Sequence, residues 1–95
     1  MTRITDRDLE SLVKLLNTMT GSPAEPYTRT DGRAVANVGN YHISGAYGGV
    51  SLHRMVNTSG GVSDVFSCGH VPKRELWQRM QAYRLGLMDS KGETK

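Results

Sequence analysis

The stretch Gly39–Val62, Gly-Asn-Tyr-His-Ile-Ser-Gly-Ala-Tyr-Gly-Gly-Val-Ser-Leu-His-Arg-Met-Val-Asn-Thr-Ser-Gly-Gly-Val, decides the fold of this chain. Polar and apolar residues alternate through it in two runs, each of strand length, with a glycine pair after each. Placing a two-residue turn at Gly48-Gly49 sets Tyr47 opposite Val50, Gly45 opposite Leu52, Ile43 opposite Arg54 and Tyr41 opposite Val56. One face then carries Tyr41, Ile43, Tyr47, Val50, Leu52 and Val56, and the other His42, Ser44, Ala46, Ser51, His53 and Met55. That division predicts an antiparallel sheet with one buried and one polar face. A second turn through Asn57–Gly61 pairs Val56 with Val62, Arg54 with Asp64 and Leu52 with Phe66, a register favoured by its cross-strand charge pair. Gly48, Gly49, Gly60 and Gly61 are thereby assigned to turns. Gly45 is not, and glycine inside a strand marks a bulge or the close approach of something else.

Helices are signalled on both sides of this block. Thr5 is placed to cap the first, with Asp8 completing a capping box and Ile4 and Leu9 forming a hydrophobic staple. Leu9, Leu12, Val13, Leu16 and Met19 follow at helical spacing until Gly21, Pro23 and Pro26 end the helix. From Tyr27 to Val38 the pattern is weaker, but Thr30-Asp31-Gly32-Arg33 predicts a short edge hairpin, with an ordered loop as the alternative. The last helix starts near Pro72 and carries Leu76, Met80 and Tyr83 on one stripe with Trp77 and Ala82 beside it, and Gly86 reads as its stop. Trp77 reads as core, with a partner contact as the alternative. The expected fold is α+β, in the order α-β(3-4)-α, with an antiparallel sheet and both helices on one sheet face. Residues 1–88 are expected to form a single domain and residues 89–95 a flexible tail.

Ninety-five residues suffice for one core. Such a small domain gains from burying more surface against copies of itself, so self-association is expected. No apolar run reaches the roughly 20 residues of a membrane span. The N-terminus has no signal-peptide pattern, and the single cysteine, Cys68, suits a reducing cytoplasm. The net charge of +3 is unevenly spread: residues 1–32 sum to −1 and residues 33–88 to +4, which permits an anionic partner.

The candidate sites follow from these placements. His42 and His53 share the polar face as diagonal neighbours with Ser44 between them, and Cys68-Gly69-His70 is a weak ligand pair, so no metal site and no cofactor are expected. Ser, His and Asp occur without a nucleophile elbow, and the glycines match neither a phosphate loop nor a dinucleotide fingerprint, so no catalytic residues are assigned. Lys73 and Arg74 stand in the first turn of the last helix, where free backbone N–H groups and two cations favour an anion. The expected ligand contacts are Tyr41, His42, Tyr47, Gly48, Gly49, His53, His70, Lys73 and Arg74: tyrosine to stack, glycine for close approach, the helix start for phosphate. The alternative is a nucleic-acid surface built from Arg33, Arg54, Lys73, Arg74, Arg79 and Arg84.

Leu16-Asn-Thr-Met-Thr-Gly-Ser-Pro23, Gly39-Asn-Tyr-His42, Ala46-Tyr-Gly-Gly49, Gly60-Gly-Val-Ser-Asp64 and Gly69-His-Val-Pro-Lys-Arg-Glu-Leu76 together make a pattern. It resembles a family of small proteins encoded by tailed bacteriophages and prophages, over about residues 9 to 87. The resemblance implies no particular residue roles. It implies a non-enzymatic accessory protein of the host cytoplasm that binds and blocks a host factor or sequesters a small anionic, nucleotide-like ligand, possible counter-defence roles included. The α-β-β-β-α order is also similar to the double-stranded-RNA-binding domain, with Lys73 and Arg74 in the comparable place, although the first helix is too apolar and acidic for a minor-groove reader.

Overall fold

Thr5 starts the first helix as its spacing predicts. In the computed structural model, which describes residues 3–93, the Thr5 hydroxyl accepts the Asp8 N–H at 3.2 Å and the Asp8 carboxylate accepts the Thr5 N–H at 2.8 Å. This reciprocal cap opens α1 (Asp6–Thr20), and Gly21, at φ 67°, closes it in the left-handed conformation. Strands β1 (Tyr27–Thr30) and β2 (Arg33–Ala36) pair around Asp31-Gly32, both at positive φ as a type I′ turn requires. They form a sheet of their own rather than an edge of the main one. The main sheet has three antiparallel strands in the order β3 (Tyr41–Ala46), β4 (Gly49–Met55), β5 (Val62–Asp64), and α2 (Lys73–Glu93) completes the chain.

The fold is α+β, with α1 against β3 and α2 against β4. Leu9, Leu12, Val13 and Leu16 of α1 meet Tyr41, Val50 and Leu52 of the sheet and Leu76 and Met80 of α2 in one buried cluster. Trp77 and Tyr83 are partly buried against it. The predicted apolar faces therefore meet as layer packing requires. Within the α1 face sits one polar residue, Asn17, which is buried and clamps β3: its side-chain oxygen accepts the Tyr41 N–H at 2.8 Å and its NH₂ donates to the Tyr41 carbonyl at 3.1 Å.

Three expectations about register and length are corrected. The β3–β4 turn is Tyr47-Gly48, at φ 54° and 75°, and not Gly48-Gly49. Ala46 therefore pairs with Gly49, Gly45 with Val50, Ile43 with Leu52 and Tyr41 with Arg54. This is a shift of two residues, which moves every pairing but leaves each strand residue on its expected face. Tyr47 leaves the sheet, however, and is 98% exposed, and Val56 lies outside β4 and is also exposed. In β5 the slip is one residue: His53, not Arg54, faces Asp64. The loop before it absorbs the difference, because Asn57 Oδ1 accepts the N–H groups of Ser59 and Gly61 and fixes its own turn. Arg54 instead donates to the Gly39 carbonyl at 3.1 Å and lies 4.7 Å from the centre of the Tyr41 ring.

Gly86 does not stop α2. It lacks the positive φ of a C-terminal cap, and the helix continues through residues 89–93, where a flexible tail is expected. A single glycine costs a helix interior about 1 kcal/mol, which weakens a helix without ending it. The rest of that expected tail, residues 94–95, lies outside the described residues.

Candidate functional site

The chain contains three histidines, and the fold puts all three in one row. His42 and His53 are direct cross-strand partners, with ring centroids 5.9 Å apart. His70 adds to the row 6.1 Å from His53, and Tyr47 adds its ring 5.9 Å from His70. The order across the sheet is thus His42, His53, His70, Tyr47, running from β3 to the tip of the β3–β4 turn. Each contact is edge-to-face, the arrangement aromatic quadrupoles favour.

His70 arrives by a different route from the other two. The segment Asp64–Val71 leaves β5 and folds back over β4. Asp64 holds it: one carboxylate oxygen accepts the Gly69 N–H at 2.9 Å and the other the Phe66 N–H at 3.3 Å. Burial alone would raise this carboxyl, but the Gly69 amide, the nearby Ser51 hydroxyl, the Phe66 amide and His53 together hold it below its ordinary pKa. Ser51 Oγ is itself buried without a hydrogen bond of good geometry, so its help to Asp64 is through proximity. Val71 then exchanges two backbone hydrogen bonds of 2.8 Å with Val50. Gly49 permits this approach, since a Cβ there would lie 3.0 Å from the backbone of His70 and Val71. His70 Nε2 ends 3.3 Å from the Ser44 hydroxyl.

His42 is half-buried, with Nδ1 3.2 Å from Asn40 Oδ1. Burial, and then the charge of His53, lower its pKa from the usual 6.5. Between that lowered value and 6.5 the unfolded chain binds the proton that the folded chain releases. The stability His42 contributes is therefore complete above pH 6.5 and is lost as the pH falls through that value toward the folded-state pKa. Thermal melts from pH 8 to pH 5 should show this acid limb, and His42→Gln should flatten it.

Beyond the Tyr47-Gly48 turn lies an open depression of about 500 Å³, lined by Arg3, Ile4, Gly48, Pro72, Lys73 and Arg74. Lys73 also pairs with Asp6 at 3.1 Å across an exposed surface, an interaction worth little in water. The cations at the start of α2 thus stand at one end of the histidine row.

The expected contact residues divide accordingly. His42, Tyr47, His53 and His70 come together on one face, and Gly48, Lys73 and Arg74 stand beside its end. Gly49 serves by letting the His70 segment approach. Tyr41 is only 1% exposed and lies on the opposite face, where burial and a 2.7 Å hydrogen bond to Tyr83 push its pKa up to about 12. It is a core residue. Among the described residues no group of three or more His, Cys, Asp or Glu side chains is placed to hold a metal ion. Among the described residues no carboxylate is hydrogen-bonded to the His70 imidazole that meets Ser44, as the base-and-orienter arrangement of nucleophilic catalysis requires.

The alternative nucleic-acid residues are dispersed. Arg33 stands on the separate hairpin and Arg54 is engaged by Gly39 and Tyr41. Arg79 pairs with Glu75 at 3.0 Å, and Arg84 donates to Gln81 at 2.8 Å. The sequence reading missed Asp64 as the anchor of the His70 loop, having assigned it to Arg54. It also missed Arg3 and Ser44. The signal for Asp64 was its position ahead of Gly69, a spacing suited to a side chain that closes a loop onto backbone amides.

Compared with known proteins, the chain matches no family model, no curated protein and no solved structure at a significant level. Its residues alone carry the functional reading.

Proposed function

We propose that this chain is a non-enzymatic binding protein that sequesters a small anionic, nucleotide-like ligand on its histidine face. The observation that carries the reading is the gathering of every histidine in the chain into one row that ends on Tyr47. Tyr47 holds a left-handed conformation that costs a non-glycine residue on the order of 1 kcal/mol, and it does so fully exposed, where its ring adds nothing to the core. An exposed aromatic ring suits base stacking, while imidazole N–H donors and the cations Arg3, Lys73 and Arg74 suit phosphate. In the accessory-protein setting implied by the phage-type sequence pattern, such capture would act in the host cytoplasm, by removing a signal or by masking an anionic feature of a host factor.

Ligand binding should stabilise the fold by mass action, about 2.7 kcal/mol when the ligand stands at a hundred times its dissociation constant. The expected result is a thermal shift, measured at pH 6 and at pH 8, with one or more of a panel of nucleoside mono-, di- and triphosphates. An unchanged melting temperature across the panel at both pH values would rule the reading out. Tyr47→Gly separates stability from binding. It should leave the free protein as stable or more stable, by up to about 1 kcal/mol, while weakening ligand binding roughly tenfold through lost stacking. Calorimetric titration of the two proteins checks both halves.

Nucleic-acid binding through the six basic residues draws less support, because Arg54, Arg79 and Arg84 engage their own fold and Arg33 stands on the separate hairpin. It predicts affinity that falls steeply with salt.

A further inference from the structure

The outer edge of β3 is open along part of its length, and its geometry suits one partner. Alternation fixes which backbone groups face outward. Met55 donates to the Asn40 carbonyl and Val50 exchanges both its bonds with Val71, so the even-numbered residues of β3 point at β4 and Tyr41, Ile43 and Gly45 point away. Asn17 satisfies Tyr41 at both its N–H and its C=O. The outward N–H and C=O of Ile43 and of Gly45 have no partner among the described residues. Most edge strands are protected by charge, proline or a bulge, and this one carries instead a bare glycine, Gly45.

Gly45 has no role within the monomer that requires it. Its φ is not positive, and a Cβ there would meet nothing closer than the Gly49 carbonyl at 3.9 Å. A glycine in a strand with room around it marks the approach of another backbone.

We propose that β3 pairs with β3 of a second copy of this chain, antiparallel about a two-fold axis through Ser44. Only this register uses all the free groups. Ile43 exchanges two hydrogen bonds with Gly45 of the second copy, and Gly45 with its Ile43. A register centred on Ile43 sets Gly45 against the Tyr41 groups that Asn17 already occupies, and one centred on Gly45 sets Ile43 against the turn residue Tyr47. In the chosen register the Ile43 side chain falls opposite the absent side chain of Gly45, which accounts for the glycine. The two sheets of three strands join into one continuous sheet, with both histidine rows on one face and the helices on the other.

One further observation favours a second copy over a foreign strand. The groove between α1 and the β3 edge, about 520 Å³, carries Arg7 and Lys14 against Glu10 and Glu25, a balanced set that selects neither an acidic nor a basic peptide.

Sedimentation and multi-angle light scattering of the full chain should show a monomer–dimer equilibrium. Amide exchange should show the Ile43 and Gly45 N–H groups becoming protected as concentration rises. Gly45→Lys, which meets open space in the monomer but sets a charge against Ile43 of the second copy at both ends of the pairing, should leave circular dichroism unchanged and shift the equilibrium to a monomer with both amides exposed. Gly45→Pro, which removes the outward donor, should do the same. A wild-type chain that stays monomeric at all concentrations, or a Gly45→Lys variant as dimeric as wild type, would overturn the proposal. Protection of the two amides only on adding an extended peptide would overturn it in favour of a foreign strand. None of these results bears on nucleotide binding at the histidine face, which the thermal-shift panel tests separately.

Discussion

Asn17→Ala should lower the stability of this protein by about 2–4 kcal/mol in urea unfolding. The side chain is 4% exposed and makes one donated and one accepted hydrogen bond to the same residue of a neighbouring strand, 24 positions away in sequence. Its loss leaves the Tyr41 N–H and C=O buried and unpaired, at about 1–3 kcal/mol for each group. The estimate sits below the sum of the upper values, because Asn17 also borders the α1–β3 groove, where water can reach in part of the way. Asn17→Asp is the informative companion. It keeps an acceptor for the Tyr41 N–H but replaces the donor with a charge aimed at the Tyr41 carbonyl, so it should be as damaging as alanine or worse. In both variants the Tyr41 amide should lose its protection against exchange before the rest of the sheet does. A loss below about 0.5 kcal/mol, the range of ordinary surface changes, would show that the clamp is not structural.

Gly49→Ala should cost about 2–3 kcal/mol and should disturb the histidine row more than the core. The added methyl would lie 3.0 Å from His70 C and from Val71 N and O, which are backbone atoms that cannot rotate aside. Relief requires lifting residues 70–71 off β4, and that stretches the two 2.8 Å hydrogen bonds between Val50 and Val71. His70 would then leave both Ser44 and Tyr47. The expected signature is a lowered melting temperature, with chemical-shift changes concentrated at Ser44, Tyr47, His53 and His70, and loss of any thermal shift by nucleotide. Gly48→Ala is the control. It sits at φ 75° with open space around it, so it should cost about 1 kcal/mol of strain in the turn without moving His70.

Much of the architecture was legible in the sequence because it rests on local chemistry. The Thr5–Asp8 cap, the Gly21 stop and the Asp31-Gly32 turn depend on residues a few positions apart, and each forms where the pattern placed it. The two faces of the central hairpin were also legible, since alternation survives a register shift of two. The register itself was less so. Gly48-Gly49 is the better turn on propensity, and it loses because Gly49 is needed in the strand, where only a residue without a side chain lets the His70 segment lie against it. Tyrosine takes the strained turn position in its place. Gly86 misled for a related reason: glycine permits a helix to stop but does not compel it, and the backbone stays helical through residue 93.

The site shows the same division. That His42 and His53 share a face followed from strand parity, and that Lys73 and Arg74 begin a helix followed from Pro72. That His70 completes the row did not follow from either. Its place depends on Asp64 tying a loop to the Phe66 and Gly69 amides, on the Val50–Val71 bridge and on the gap at Gly49, contacts between residues brought together only by folding. Residue type and spacing alone determined the two helices, the antiparallel hairpins and the split between apolar and polar faces, because short-range sterics and hydrophobic periodicity act within a few residues. Only the tertiary structure decided the register, the exposure of Tyr47, the clamp by Asn17 and the gathering of the histidines. Each of those is a contest between distant groups for the same space or the same hydrogen bond, and the winner is set by packing.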